Sequence, residues 1–244
     1  MSSKPDEQQK EKQASCGPGT SGRLASSLNI ELHSHYAILI WDGRPQRQRQ
    51  GASNEKVRPS IMSMPQAIRL AGNIYQASAA DNPYADEIMC RLEEAIDTAT
   101  VKIREAVQWV ERQVAALPAS VSMTDVKAES PLNVGVFSRS PLGYRCVWLL
   151  VGYDELAMKV FQAWHYGLIS RQRRDELLSQ GGHLIRKIYG ILRPWRPFSV
   201  TRQDIESRTP EGQKAIDRLG EPDPEIMSGK RRSSFSPPLQ KRSS

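Results

Sequence analysis

The sequence predicts a mainly helical α+β protein. One observation is an apolar stripe at helical spacing across residues 88–117; another is a run rich in β-branched and aromatic residues over 132–151, which reads as a β-hairpin. Two closely joined helices are expected after that hairpin, an order resembling ribbon-helix-helix units.

Residues 1–27 are polar, with almost no apolar content to offset the entropy of ordering, and read as a disordered tail. The stretch LNIELHSHYAILIW (28–41) alternates at first, with Leu28, Ile30 and Leu32 on one side, then turns continuously apolar, which predicts one or two strands. Residues 43–59 form a polar loop whose charges are five basic residues and Glu55, and it is expected to be mobile. MPQAIRLAGNIYQAS (64–78) carries a proline suited to a first helical position and apolar residues at helix spacing. In the long stripe Ile88, Leu92, Ile96, Ala99, Ile103, Val107, Val110, Val114 and Leu117 recur until Pro118. At about 1.5 Å per residue this helix exceeds about 40 Å, so part of its stripe is expected to pack on a second subunit.

After a polar linker (119–131), LNVGVFS and YRCVWLLV are separated by RSPLG and form the expected hairpin. A helix should begin near Tyr153, with Asp154 and Glu155 in its first turn and Leu156, Val160 and Leu168 on one face. Ser170 can cap the next helix, 171–192, which is loosened at Gly181 and Gly182 and stopped by Pro194 and Pro197. A short helix around 211–219 lies in a satellite, and residues 228–244 read as a second, basic tail. The principal domain is thus 28–227.

Few chemical motifs appear. GPGTSGRL (17–24) has the glycine spacing of a phosphate-binding loop, but Arg23 and Leu24 stand where that loop needs Lys and Ser or Thr. His33 and His35 would share one strand face without a third metal ligand nearby, and His165 and His183 have no partner at motif spacing. Cys16, Cys90 and Cys146 form neither a CxxC pair nor an even framework. No cofactor, metal or small-molecule substrate is therefore expected, and no catalysis. MSSKPDEQQKEKQ is not a secretory signal, and the densest apolar run, CVWLLV, is far short of the roughly 20 residues that span a bilayer. A cytoplasmic protein without membrane contact is expected.

The net charge of +7 comes from 34 basic and 27 acidic residues, so placement decides its meaning. SRQRRDELLSQGGHLIRKIYGILRPWRP (170–197) concentrates Arg171, Arg173, Arg174, Arg186, Lys187, Arg193 and Arg196 against Asp175 and Glu176. Three cations in a first turn oppose the helix dipole, which points to a phosphate anchor; a solvated helix face is the alternative reading. Arg139 and Arg145 of the hairpin extend the candidate face. The 88–117 helix is acidic overall, so charge is segregated along the chain, as expected if one side meets DNA.

The segments LNIELHSHYAILIWDGR, SMPQAIRLAGNIYQASAADNPYAD, SPLGYRCVWLLVGYDELAMKVFQAWHYGLISR, FSVTRQDI and RRSSFSPPL together resemble the AcaB-like transcriptional regulators and, within them, integrating conjugative element proteins of Gram-negative bacteria. The likeness spans about 28–239 and departs mainly in the N-terminal extension and in RPQRQRQGASNEKVRPSI (44–61). It implies a bacterial protein encoded on a mobile element, a regulator of conjugation or transfer genes that binds double-stranded DNA. The length of the 88–117 helix points to a homodimer. The resemblance brings no residue-by-residue contact motif, so the nine basic residues above rest on charge and helix geometry. An interaction or assembly protein of the conjugation machinery is the main alternative, and an enzyme acting on nucleic acid a third.

Overall fold

A computed structural model of the chain describes residues 27–45 and 60–239. Within them the protein is mainly helical, with one two-stranded antiparallel sheet. β1 (Leu28–Leu32) pairs with β2 (Leu132–Val136), Leu28 opposite Val136 and Leu32 opposite Leu132. Ile30, Leu32 and Val136 are buried, while Asn29, Glu31, Asn133 and Gly135 face outward.

The expected 132–151 hairpin does not form. Its first half is β2, paired with a strand about a hundred residues earlier, and its second half belongs to a helix. The start signals of that helix are local: the Ser140 hydroxyl accepts the Gly143 N–H at 3.1 Å, and Pro141 occupies the first turn. This helix is central and touches most of the other core elements, so Cys146, Val147, Leu149 and Leu150 are all buried. A helix covered on most sides loses the 3.6-residue alternation and looks like a strand.

The segment after β1 departs in the same direction. Instead of a second strand, α1 (His35–Asp42) forms, with the Ser34 hydroxyl accepting the Ala37 N–H at 3.1 Å. Buried Asp154 supports this start: its carboxylate accepts the N–H groups of Ser34 at 2.7 Å and His33 at 2.8 Å. Asp154 is therefore not a first-turn acid of a helix beginning near Tyr153; it sits in the middle of the central helix and holds a distant chain turn. His33 and His35 do not share a strand face, because His35 opens α1 and His33 Nδ1 accepts the Ala128 N–H at 3.3 Å.

The segments read as helices over 64–78, 88–117 and 171–192 do form helices. α2 (Met64–Ala79) has a capping box between Ser63 and Gln66. α3 (Pro83–Ala115) is capped by the Asn82 side chain and buries Leu92, Ile96, Ala99, Ile103 and Val110. α4 (Pro141–His165) lies parallel to α3, since Arg145 pairs with Asp97 and, further along both helices, Lys159 with Glu111 at 2.9 Å. α5 (Arg171–Leu192) is capped by Ser170 and runs unbroken through its glycine pair. A Cβ on Gly181 would stand 2.6 Å from the Tyr153 ring, so glycine is what lets α5 close onto α4, where the Tyr153 hydroxyl donates to the Leu178 carbonyl at 2.9 Å. The expected order of ribbon, helix and helix survives only in altered form, as a β1–β2 ribbon with α4 and α5 following β2.

α6 (Arg202–Glu206), α7 (Pro210–Leu219) and α8 (Pro224–Met227) follow, and Tyr84, Val200, Ile205 and Ala215 form a small second apolar cluster. Residues 228–239, read as part of a disordered tail, instead lie along the first half of α3. Arg231 pairs with Glu94 at 3.2 Å, the Ser234 N–H donates to Glu93 at 2.9 Å, and Phe235 packs against the main core. The interactions that order them come from acids of a helix more than a hundred residues away. The 17–24 glycine stretch lies outside the described residues, as does most of the 43–59 loop, whose base closes through paired Arg44 and Ile61 backbones. Among the described residues no helix is long and apolar enough to cross a membrane.

Candidate nucleic-acid interface

α5 presents Leu177, Leu178, Ile185, Ile188, Tyr189 and Leu192 to the core, so its polar residues line the opposite side. The three arginines of its first turn behave differently from one another. The Arg171 side chain is 81% exposed and only loosely opposed by Asp175 at 3.9 Å. Arg173 lies over the Trp109 ring of α3 at 4.5 Å and pairs with Glu176 at 3.3 Å. Arg174 is mostly covered, stacked over Trp164 at 4.2 Å and Phe161 at 5.7 Å, and paired with Asp175 at 2.7 Å. Hydrogen bonds from Gln172 and Arg173 hold the Glu176 carboxyl below its ordinary value. Two of the three cations read as a phosphate anchor thus fasten α5 to α3 and α4, and two acids on the same turn offset their conflict with the dipole.

The second half of α5 is freer. Arg186, Lys187 and Arg193 are exposed and make no ion pair among the described residues, and no Asp or Glu occurs between Glu176 and Asp204. Arg196 is exposed but turned back, its guanidinium donating to the carbonyls of Arg193 at 2.9 Å and Trp195 at 2.8 Å. It therefore satisfies acceptors beyond the helix end. Arg139 is exposed ahead of α4, its Cβ against Gly72 of α2. Arg145 pairs with Asp97 and lies over the Phe235 ring at 4.9 Å. The structure thus leaves Arg171, at the start of α5, without a close partner and Arg186, Lys187 and the C-cap residue Arg193 toward its end without an ion pair among the described residues, and commits Arg145, Arg173 and Arg174 to contacts within the fold.

Sequence reasoning missed two cations of α3, Lys102 and Arg112, which face α5 across a cleft. They were hidden in a helix counted as acidic overall. Most acids of its first half have cationic or hydroxyl partners from elsewhere in the fold: Asp97 has Arg145, Glu94 has Arg231, Glu93 has Ser234, and buried Asp86 has Arg202 and Arg232. Counting the two halves of α3 separately would have exposed the basic character of the second. Cys90 and Cys146 are buried free thiols; burial pushes the Cys146 thiol up to about 12, which disfavours the thiolate. No described group of three His, Cys, Asp or Glu residues is arranged to hold a metal ion.

The solved structure of selenomethionine-containing AcaB from uropathogenic E. coli is similar to this chain, with a TM-score of 0.51 and 13% identity over 87% of this chain and 100% of that one. At that identity the likeness is one of fold. No curated protein matches. The family model described as "Transcriptional regulator AcaB" matches residues 20–240. That span takes in β1, β2 and every helix described above, and on it the chain belongs to the AcaB family of transcriptional regulators.

Proposed function

We propose that this protein binds double-stranded DNA as a homodimer and so regulates conjugation or transfer genes on an integrative conjugative element, acting by binding rather than by catalysis. One observation carries the reading: the outer face of α5 offers Arg186, Lys187 and Arg193, exposed, without an ion-pair partner among the described residues and without an acid nearby in sequence. Cations left unneutralised on one face are what phosphate binding requires, because each phosphate neutralised releases condensed counterions. Arg171 extends the same helix toward its exposed start, and the inward-facing Arg173 and Arg174 hold the helix in place for that contact. Arg139, Arg145 and Arg196 are outside the centre of this surface.

Titration of the full chain with duplex from the element's own promoters, and with random duplex of equal length, tests the reading. Tighter binding to the promoter, weakening steeply with salt, is the expected result. Absence of binding at low salt overturns it in favour of an assembly role in the conjugation machinery. Sedimentation showing only monomer at micromolar concentration overturns the dimer.

A further inference from the structure

The Gly181–Gly182 pair draws the middle of α5 onto Tyr153 of α4, and on its other side α5 leaves an open cleft against the second half of α3. The cleft measures about 920 Å³, near the upper end of the range typical of small-molecule sites. Its floor is apolar: Leu156 and Leu177 lie almost fully buried beneath it, and half-buried Ala106, Trp109 and Leu184 supply the accessible apolar surface. One wall is the Trp109 indole, held in place by the Arg173 guanidinium on its face. Lys102 and Arg112 of α3 stand opposite Arg186 of α5, and none of the three makes an ion pair among the described residues. The acid lining the same stretch of α3 is Glu105, so the positive charge is in excess. Exposed His183 also borders the cleft.

An apolar floor, a fixed indole and unpaired cations from two helices form a combination that plain surface charge does not need. We infer that the cleft is a binding site for a small planar anion: an aromatic or heteroaromatic body packed against Trp109, Ala106 and Leu184, with a carboxylate, sulfonate or phosphate drawn by the α3 cations that line the same cleft, Lys102 and Arg112. The indole supplies stacking area, and the cations supply charge-assisted hydrogen bonds in a partly dehydrated setting. The site does not depend on the DNA reading. It shares Arg186 with the proposed DNA surface, but the acid group is drawn by Lys102 and Arg112 of α3, which that surface does not include.

The probe is 8-anilinonaphthalene-1-sulfonate, a planar anion whose fluorescence rises on leaving water, titrated into the full chain. Saturable binding at one site per chain is expected. It should weaken about tenfold or more in the Lys102→Gln/Arg112→Gln double variant, whose changed side chains are exposed and leave the core intact. Filling the cleft with Ala106→Trp should abolish binding in a chain whose far-ultraviolet circular dichroism is unchanged. Sodium sulfate at matched ionic strength should compete poorly, because it lacks the planar body. Unchanged affinity in both variants, or sulfate competing as well as the probe, overturns the site. A third overturning result is duplex DNA displacing the probe while the double variant loses duplex affinity to the same extent, since the cleft would then belong to the DNA surface. Failure of the duplex titration alone leaves the probe result standing, so the two readings fail separately.

Discussion

Two groups of basic residues in this protein carry the same charge and end in opposite environments. Arg202 and Arg232 converge on Asp86, whose side chain is fully buried; Arg232 approaches it with two nitrogens at 3.0 and 3.1 Å, Arg202 also pairs with Asp81, and the Ser78 and Ser236 hydroxyls donate to the same carboxylate. Arg186, Lys187 and Arg193 on α5 have no such acid. The first cluster ties the C-terminal segment and α6 to α3, while the second is left to an external anion. A count of basic residues does not separate the two cases. What separates them is whether the fold delivers a carboxylate to the same place.

The comparison can be broken most forcefully at Asp86. Asp86→Ala leaves two guanidinium groups in a buried pocket without their shared counterion, and removal of one partner from a buried ion pair costs about 3–5 kcal/mol. A fall in melting temperature on the order of 10 °C is expected by calorimetry, with earlier proteolytic cleavage within 228–239. Wild-type stability there means the cluster holds nothing.

A gentler perturbation is pH. Burial alone would raise the Asp86 pKa, but hydrogen bonds from Arg232, Arg202 and Ser78 outweigh it and hold the carboxyl below its ordinary value of 3.8. The folded pKa lies below the unfolded one, so the stabilisation is fully present above that ordinary value and drains away as pH falls through the lower folded value. Denaturant melts between pH 6 and pH 3 should show wild-type stability falling faster than that of Asp86→Asn. Parallel curves would remove Asp86 from the acid transition.

On the exposed side, Lys187→Ala/Arg193→Ala is expected to weaken duplex binding by about tenfold at moderate salt and to lower the salt slope by about two, with melting unchanged. An unaltered slope would move the DNA surface elsewhere. The smallest effect should come from Arg174→Ala, which removes stacking on Trp164 and Phe161 and one ion pair. A stability loss of about 1 kcal/mol is expected in denaturant melts. Duplex affinity should stay the same once the variant is folded, and a selective loss of DNA binding would restore the first turn of α5 as a phosphate anchor.

Elements with a one-sided apolar stripe were legible in advance. α2, α3 and α5 show it, and Ser170 announces the start of α5 through a side-chain cap that needs only local chain. α4 was not legible because it is buried on most sides, although Ser140 and Pro141 did mark its beginning. α1 was missed because the carboxylate that holds its start belongs to Asp154, 120 residues from Ser34. The candidate surface divides similarly: all nine cations could be named from the chain, but the partners of Arg145, Arg173 and Arg174 are aromatic rings and acids, several of them on other helices.

By itself the sequence determined the mainly helical class, the long α3, the span of α5 and the concentration of charge in residues 170–197, because helical periodicity, caps and composition act over a few neighbouring residues. Tertiary structure alone decided that β2 pairs with β1, that residues 228–239 are bound to α3, and which arginines remain free. Those outcomes depend on which residues from distant parts of the chain meet, and an arginine changes from binding surface to buried strut when a single carboxylate arrives beside it.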